Sequence, residues 1–147
     1  MIDKLSSLWA ENYPLILTEL HIPIIEDIYY DDFLEGRAYV RIDMAALDQK
    51  SDEIIFVEAE NGLYTQHPLV YLPFCNRLYL LCPFDDSPYR DEQIDWCKKY
   101  GIGILEVLEN GTIRETLAAR SRPMFPSLNA YIKSRLIKKA RKVKKNV

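Results

Sequence analysis

Apolar positions along the chain follow helical spacing in some segments and extended spacing in others. Residues 3–20 carry large apolar side chains near helical spacing, which predicts a first helix that Pro14 kinks or splits. Residues 24–30 predict a strand. Residues 38–47 and 53–60 predict two more strands, and the polar turn DQKSD between them indicates an antiparallel hairpin.

The next part of the chain alternates between helical and extended patterns. Residues 64–75 predict a short helix despite two prolines, because their apolar side chains need burial. Residues 77–82 and 102–108 are mostly apolar and predict buried strands. The turn ENGT after the second of these strands leads into a last strand, residues 113–118.

Two further helices are predicted, one before residue 102 and one at the end of the chain. The first lies within residues 87–101, where Ser87 and Pro88 mark its start and Gly101 its end. The second is a basic helix from Ser127 onward. Its narrow apolar stripe consists of Leu128, Ile132, Leu136, Ala140 and Val143.

This order of elements predicts the fold class. Strand–helix–strand units connect parallel strands by right-handed crossovers, whereas the hairpins are antiparallel. We therefore expect an α/β fold with a mixed β-sheet flanked by helices. Residues 1–118 are predicted to form the α/β domain, and residues 119–147 a basic C-terminal helical extension.

Composition narrows the class of protein. A chain of 147 residues that is 48% hydrophobic can bury a core without disulfides or metals. It has no apolar run near the roughly 20 residues of a membrane helix and no signal-peptide pattern at its start. Its three cysteines lack CxxC spacing, which argues against a disulfide framework or a zinc site. We expect a cytoplasmic protein without a membrane partner.

The net charge is −3, but the charged residues are distributed very unevenly along the chain. Residues 1–115 carry nine basic and 22 acidic side chains, whereas residues 116–147 carry ten basic side chains and no acid. The C-terminal helix is therefore predicted to bind DNA phosphates. The candidate contacts are Lys133, Arg135, Lys138, Lys139, Arg141, Lys142, Lys144 and Lys145. The alternatives are a helix packed on the acidic body or on another subunit and, with less support, a membrane-surface helix.

The strand IIFVEAE ends in two acids, Glu58 and Glu60, which fall on one face of an extended strand. If the hairpin closes symmetrically about its turn, the numbers of facing residues sum to 101. Asp43 then faces Glu58, and Arg41 faces Glu60. Facing side chains in such a pair are close, so like charges there repel each other.

Two interpretations of these charges remain open. The three carboxylates could surround one divalent cation, which would neutralise them through oxygen ligands. Alternatively, Arg41 could pair with Glu60 and leave Asp43 and Glu58 at a solvated strand end. The wider pattern of motifs and elements favours the cation.

That pattern resembles the PD-(D/E)xK nuclease superfamily, which has the restriction-endonuclease-like fold. The superfamily carries an aspartate on one strand and Glu-x-Lys on the next strand of a hairpin. Here the matching stretches are RID with Asp43, and VEAE with Glu58 and Glu60. The resemblance covers roughly residues 5–108. Glu60 stands where the family normally has a lysine.

The resemblance implies a metal-dependent nuclease that hydrolyses DNA phosphodiester bonds. Asp43 and Glu58 would bind Mg²⁺ or Mn²⁺ with help from the Ala59 carbonyl, and Glu60 would act on the metal or the water. Some relatives have lost catalysis and only bind DNA or assemble complexes, which is the alternative function here. A homodimer is also implied as possible, since two sites are needed to cut two strands.

Four further residues are supplementary candidates. Glu19 and Glu26 precede the hairpin, in a region from which the family often draws another acid. Gln66, with Tyr71, resembles a Gln-xxx-Tyr element of some of these nucleases, although the spacing here is one residue longer. Arg41 is included because of its predicted position opposite Glu60.

Overall fold

The described residues of the chain form an α/β fold with one six-stranded mixed sheet and three α-helices. The computed structural model describes residues 1–13, 15–23, 39–62, 67–124 and 126–145. The elements in chain order are α1 (Ile2–Trp9), β1 (Leu15–Pro23), β2 (Tyr39–Asp48), β3 (Glu53–Ala59), a 3₁₀ helix (His67–Phe74), β4 (Arg77–Pro83), α2 (Arg90–Tyr100), β5 (Gly103–Val107), β6 (Ile113–Leu117) and α3 (Pro126–Lys145).

The six strands lie in the sheet in the order of the sequence. β1, β2 and β3 are antiparallel neighbours, β3, β4 and β5 are parallel, and β6 returns antiparallel to β5. The 3₁₀ helix connects β3 to β4, and α2 connects β4 to β5. The carboxyl ends of the three parallel strands therefore meet at one edge of the sheet.

Apolar side chains fill both faces of the sheet. The 3₁₀ helix, α2 and α3 cover the face with the larger buried cluster, and α1 covers the face with the smaller one. On β3, Ile54 and Phe56 belong to the larger cluster, whereas Ile55 and Val57 belong to the smaller one. Burial on both faces explains why this strand is almost continuously apolar.

The predicted hairpin register is confirmed. The paired residues run from Met44 opposite Val57 to Asp48 opposite Glu53, and each pair sums to 101. The Asp48 carboxylate accepts hydrogen bonds from the backbone N–H groups of Lys50 (3.0 Å) and Ser51 (3.4 Å) and closes the turn. The five strands predicted from residue 38 onward each begin and end within one residue of the observed bounds.

The end of α2 also follows the prediction. Gly101 adopts φ of 73°, and the Ile102 N–H donates to the Cys97 carbonyl at 2.9 Å. Glycine tolerates this left-handed conformation, which is the usual way to end a helix. The segment predicted as a short helix between β3 and β4 is helical, as a 3₁₀ helix from His67 to Phe74.

The prediction of one helix over residues 3–20 is wrong. α1 ends at Trp9, and Leu15–Pro23 is a strand. Leu15 and Leu17 pack against the larger cluster while Ile16 packs against the smaller one, so the apolar spacing fits alternation as well as a helix. Proline at position 14 also disfavours a continuous helix. The strand predicted at residues 24–30 lies outside the described residues.

α3 shares the core of the sheet. Leu128, Ile132 and Leu136 are at most 2% exposed and belong to the larger cluster, which confirms this part of the predicted stripe. The side chains of Ala140 and Val143 lie outside the described part. No helix in the described ranges is long and apolar enough to cross a membrane.

Candidate functional site

The candidate site lies where β2 and β3 separate. Their ladder of pairs ends at Met44 and Val57. Beyond it, the Glu60 N–H donates to a β4 carbonyl at 2.9 Å, and the Asp43 Oδ2 accepts the Ala59 N–H at 2.9 Å. The Asp43 carboxylate of β2 is therefore bonded to the backbone of β3 at the point where the two strands separate.

Glu58 lies beside Asp43 and is almost completely buried. Its side chain is 5% exposed and its carboxyl is hydrogen-bonded to the Asp43 side chain. Burial, followed by the hydrogen bond and charge of Asp43 and the charge of Glu60, raises the pKa of Glu58 to about 9. Glu58 therefore holds a proton at neutral pH. Among the described residues, its Oε2 atom is buried without a hydrogen-bond partner.

Arg41 neutralises the other half of this pair. Its Nη2 donates to Asp43 Oδ1 at 3.0 Å, on the same strand two residues away. The Arg41 side chain is half exposed, whereas that of Asp43 is 15% exposed. The structure thus pairs this arginine with Asp43, whereas the predicted register places it opposite Glu60.

The structure brings together two of the three predicted acids at close range. Asp43 and Glu58 share a hydrogen bond, and Glu60 acts on Glu58 through its charge. Within the described residues, however, no group of three or more histidine, cysteine, aspartate or glutamate side chains could hold a metal ion. Asp43, Glu58 and Glu60 are therefore not assembled as a three-ligand site.

Glu19 lies on β1 and not near the end of a helix. The pairs on either side of it in the β1–β2 ladder set it opposite Asp43. Its φ of 55° is uncommon for a residue other than glycine, and its side chain is exposed. The strand backbone is thus distorted directly beside the candidate pair.

Of the remaining supplementary candidates, Arg41 contacts Asp43 as described above. Glu26 and Gln66 lie outside the described residues. Tyr71, the partner of Gln66 in the suggested element, is 2% exposed and belongs to the larger core cluster. Packing in the core accounts for a tyrosine at this position, and no role at the site is needed to explain it.

The basic side chains of α3 differ in their environments. Lys133 Nζ lies 2.6 Å from the Asp52 carboxylate in the β2–β3 turn. That turn and Glu58 are at opposite ends of β3, roughly 20 Å apart at 3.3 Å per residue. Lys138 is exposed, and Arg135 and Lys139 are partly buried. The side chains of Arg141, Lys142, Lys144 and Lys145 lie outside the described part.

A second buried acid, Glu106, was not anticipated from the sequence. It is 1% exposed and accepts hydrogen bonds from Arg90, Thr116 and Arg114, the last at 3.2 Å. Burial alone would raise the pKa of Glu106, but these hydrogen bonds outweigh it and hold the pKa below its ordinary value. The signal was an acid inside an apolar strand, followed by Arg-x-Thr on the next strand.

Comparison with known proteins gives a similarity of fold. No protein-family model and no curated protein matches the sequence. Among solved structures, the chain is similar to the SPO1766 protein of unknown function from Silicibacter pomeroyi, with 15% identity and a TM-score of 0.60. The match covers 92% of this chain and 79% of that chain. At this identity the similarity concerns the fold alone.

Proposed function

We propose that the chain is a metal-dependent nuclease of the restriction-endonuclease-like fold that hydrolyses DNA phosphodiester bonds. One observation carries the proposal. Asp43 and Glu58, the acids of the family motif, form a contacting carboxyl pair at the end of the predicted hairpin. Such a pair requires either a proton or a cation.

The residues present fit a magnesium or manganese ion. Glu58 has a buried oxygen without a hydrogen-bond partner, and Asp43 and the Ala59 carbonyl are adjacent candidate ligands. Magnesium sites commonly use only one or two protein carboxylates, with waters and substrate phosphate as the remaining ligands. Two carboxylates therefore suffice, although no three-ligand group is formed. A bound cation would polarise the phosphodiester and lower the pKa of a water.

The chain supplies the remaining roles. Glu60, partly buried beside Glu58, would orient the attacking water or accept its proton. Arg41, with a half-exposed guanidinium held at Asp43, would pair with a phosphate oxygen. The exposed Lys138 on α3 would attract the polyanion that the acidic body repels.

The observed topology also supports the proposal. A helix, a three-stranded antiparallel meander, a helical segment and a parallel strand follow one another. This is the order of elements that the family resemblance implies for its core. The acids lie on the second and third strands of the meander, as the motif requires.

A non-catalytic DNA-binding or assembly module is the second candidate. Arg41 and the proton on Glu58 already neutralise the carboxyl pair without any cation. Glu60 also occupies the position of the family lysine. A relative that no longer needs metal would have this arrangement, with the basic helix retained for binding.

Cleavage assays distinguish the two candidates. Plasmid and branched DNA are incubated with the protein and Mg²⁺ or Mn²⁺, beside Asp43→Asn and Glu58→Gln variants. The nuclease proposal expects cleavage that each substitution lowers at least about 100-fold. The exposed Glu109→Gln is the matched control and leaves the rate unchanged. Salt-sensitive DNA binding without cleavage, and no heat of metal binding, would support the module instead.

Two lysines of α3 test the DNA contact. Lys138 is exposed, so Lys138→Ala is expected to weaken DNA binding and to lower the slope of log affinity against log salt by about 1. Lys133 is bound to Asp52, so Lys133→Ala should leave that slope unchanged. Equal slopes for the wild-type protein and Lys138→Ala would exclude this lysine from the interface.

A further inference from the structure

A cavity of about 270 Å³ lies between α1 and strands β4 to β6. Its aromatic wall is formed by Trp9, Tyr13 and Tyr79, and its polar wall includes Arg77 and Glu115. Ligand sites in proteins typically combine an apolar lining with a few placed polar groups. The cavity has this composition.

The three rings meet at steep angles. The centroids of Trp9 and Tyr13 are 5.1 Å apart with planes at 57°, and those of Trp9 and Tyr79 are 6.0 Å apart at 81°. A flat heterocyclic ligand would stack between two nearly parallel rings, and these three rings are not parallel to one another. Rings at steep angles instead form a corner, which suits a rounded group such as an alkylated ammonium.

Gly103 fixes the position of one of these rings. It pairs with Tyr79 across β4 and β5, and a Cβ atom at this glycine would come within 2.5 Å of two ring carbons. The ring thus lies directly on the neighbouring strand backbone. The Tyr79 wall of the cavity is therefore set by the fold before any ligand arrives.

The charges around the cavity favour a cation. Tyr79 Oη donates to Glu115 Oε2 at 2.9 Å, and burial followed by this hydrogen bond raises the pKa of Tyr79, so the hydroxyl remains protonated. Arg77 is held by Asp48 at 2.9 Å and by Glu53 at 3.2 Å. The Arg77 guanidinium is thus paired with two carboxylates, and Glu115 is a further carboxylate in the cavity lining.

We propose that this cavity binds a small organic cation of the alkylammonium class. Its charge would lie at Glu115, and its alkyl groups against Trp9 and Tyr79. The volume is below that of most pockets for drug-sized ligands, so the ligand is no larger than a choline-like group. Ile55 and Val57 of β3 face the side of the sheet that holds the cavity. Glu58 follows Ile54 and Phe56 in alternation and faces the opposite side, so the cavity is independent of the proposed nuclease activity.

Choline and its neutral isostere 3,3-dimethylbutan-1-ol test the proposal. The chain has two tryptophans, so Trp96→Phe leaves Trp9 as the only indole emitter. In that variant, choline is expected to change the fluorescence saturably, and the isostere to bind at least about tenfold more weakly because it lacks the cation–π and carboxylate attraction. The N-methyl proton signals of choline should shift upfield, since they lie against aromatic rings.

Glu115→Gln is the decisive variant. It keeps the side-chain volume but removes the charge, and it should weaken choline binding about tenfold while leaving the isostere unchanged. Glu109→Gln, an exposed acid outside the cavity lining, is the control and should leave choline binding unchanged. If Glu115→Gln does not fold, the ratio of choline to isostere affinity and the proton shift still decide. Equal affinities, no saturable binding in the millimolar range, or binding without an upfield shift would overturn the proposal.

Discussion

Glu58 and Glu106 are the two glutamates that the described residues bury almost completely, and their environments are opposite. Both lie toward the carboxyl ends of parallel strands, with β4 between them. Glu106 is surrounded by two guanidinium groups and a hydroxyl. Glu58 faces another carboxyl and keeps one oxygen without a hydrogen bond in the described structure.

The difference separates a structural acid from a candidate site acid. The partners of Glu106 lower its pKa, so its charge forms part of the folded structure. Burial and the neighbours of Glu58 raise its pKa to about 9, so this side chain takes up a proton on folding at neutral pH. Buried groups with perturbed pKa values and unsatisfied atoms are typical of functional sites.

The largest expected effect is the loss of Glu106. Glu106→Gln removes the charge that holds Arg90, whose side chain is only 18% exposed, and leaves that guanidinium without a counter-ion. The free energy of unfolding should fall by about 3–5 kcal/mol. Denaturant unfolding at pH 7 measures this change. A loss below about 1 kcal/mol would show that Arg90 finds other partners, and Glu106 would then not be a structural acid.

Substitution of Glu58 is expected to change the free energy of unfolding in the opposite direction. Glu58→Gln keeps the shape of the side chain but removes the cost of protonating a carboxyl on folding at pH 7. The free energy of unfolding should rise by about 1–3 kcal/mol at pH 7. Thermal denaturation without divalent cations measures it, and Glu109→Gln serves as an exposed control. A destabilised Glu58→Gln would contradict the strained carboxyl pair.

The pH dependence of stability should separate the two acids next. The pKa of Glu58 is raised from 4.5 to about 9 on folding, so its contribution is lost as pH rises through this range, by about 1 kcal/mol per pH unit. The pKa of Glu106 is lowered, so its contribution is lost as pH falls below 4.5. Unfolding from pH 3 to 8 should show both slopes. Glu58→Gln should remove only the decline above pH 5, and a retained decline would refute the assignment.

The smallest effect is expected at Arg41. Its pair with Asp43 is half exposed, so Arg41→Ala should change the free energy of unfolding by less than about 1 kcal/mol. The same variant leaves Asp43 without its cation and should therefore strengthen Mn²⁺ binding, as measured by calorimetry. Unchanged or weaker metal binding would show that Arg41 does not compete with a cation at this pair.

Local pattern predicted most of the sheet, because each strand from residue 38 onward is bounded by turn residues. The hairpin register followed from the turn, since a slip of one residue would turn its apolar side chains away from the core. The first helix was predicted too long. Leu17 and Leu20 have helical spacing, yet both face the larger cluster from one strand because its backbone is distorted at Glu19.

The candidate site was predictable in part for the same reason. The hairpin register predicted that Asp43 and Glu58 lie close together. The end of the β2–β3 ladder at Met44 was not predictable, because beyond Val57, among the described residues, β3 pairs only with β4. The partners of Glu106 come from β6 and α2, which no short sequence pattern connects. Long-range contacts of this kind require the topology of the whole sheet.

The packing of α3 limits how its charge can be studied. Leu128, Ile132 and Leu136 fill space over the sheet, so a chain truncated before this helix would expose the core. A loss of the proposed DNA binding in such a truncation would report unfolding as readily as a missing contact. Changes to outward side chains, such as charge reversal at the exposed Lys138, would test the proposed DNA contact without disturbing the core.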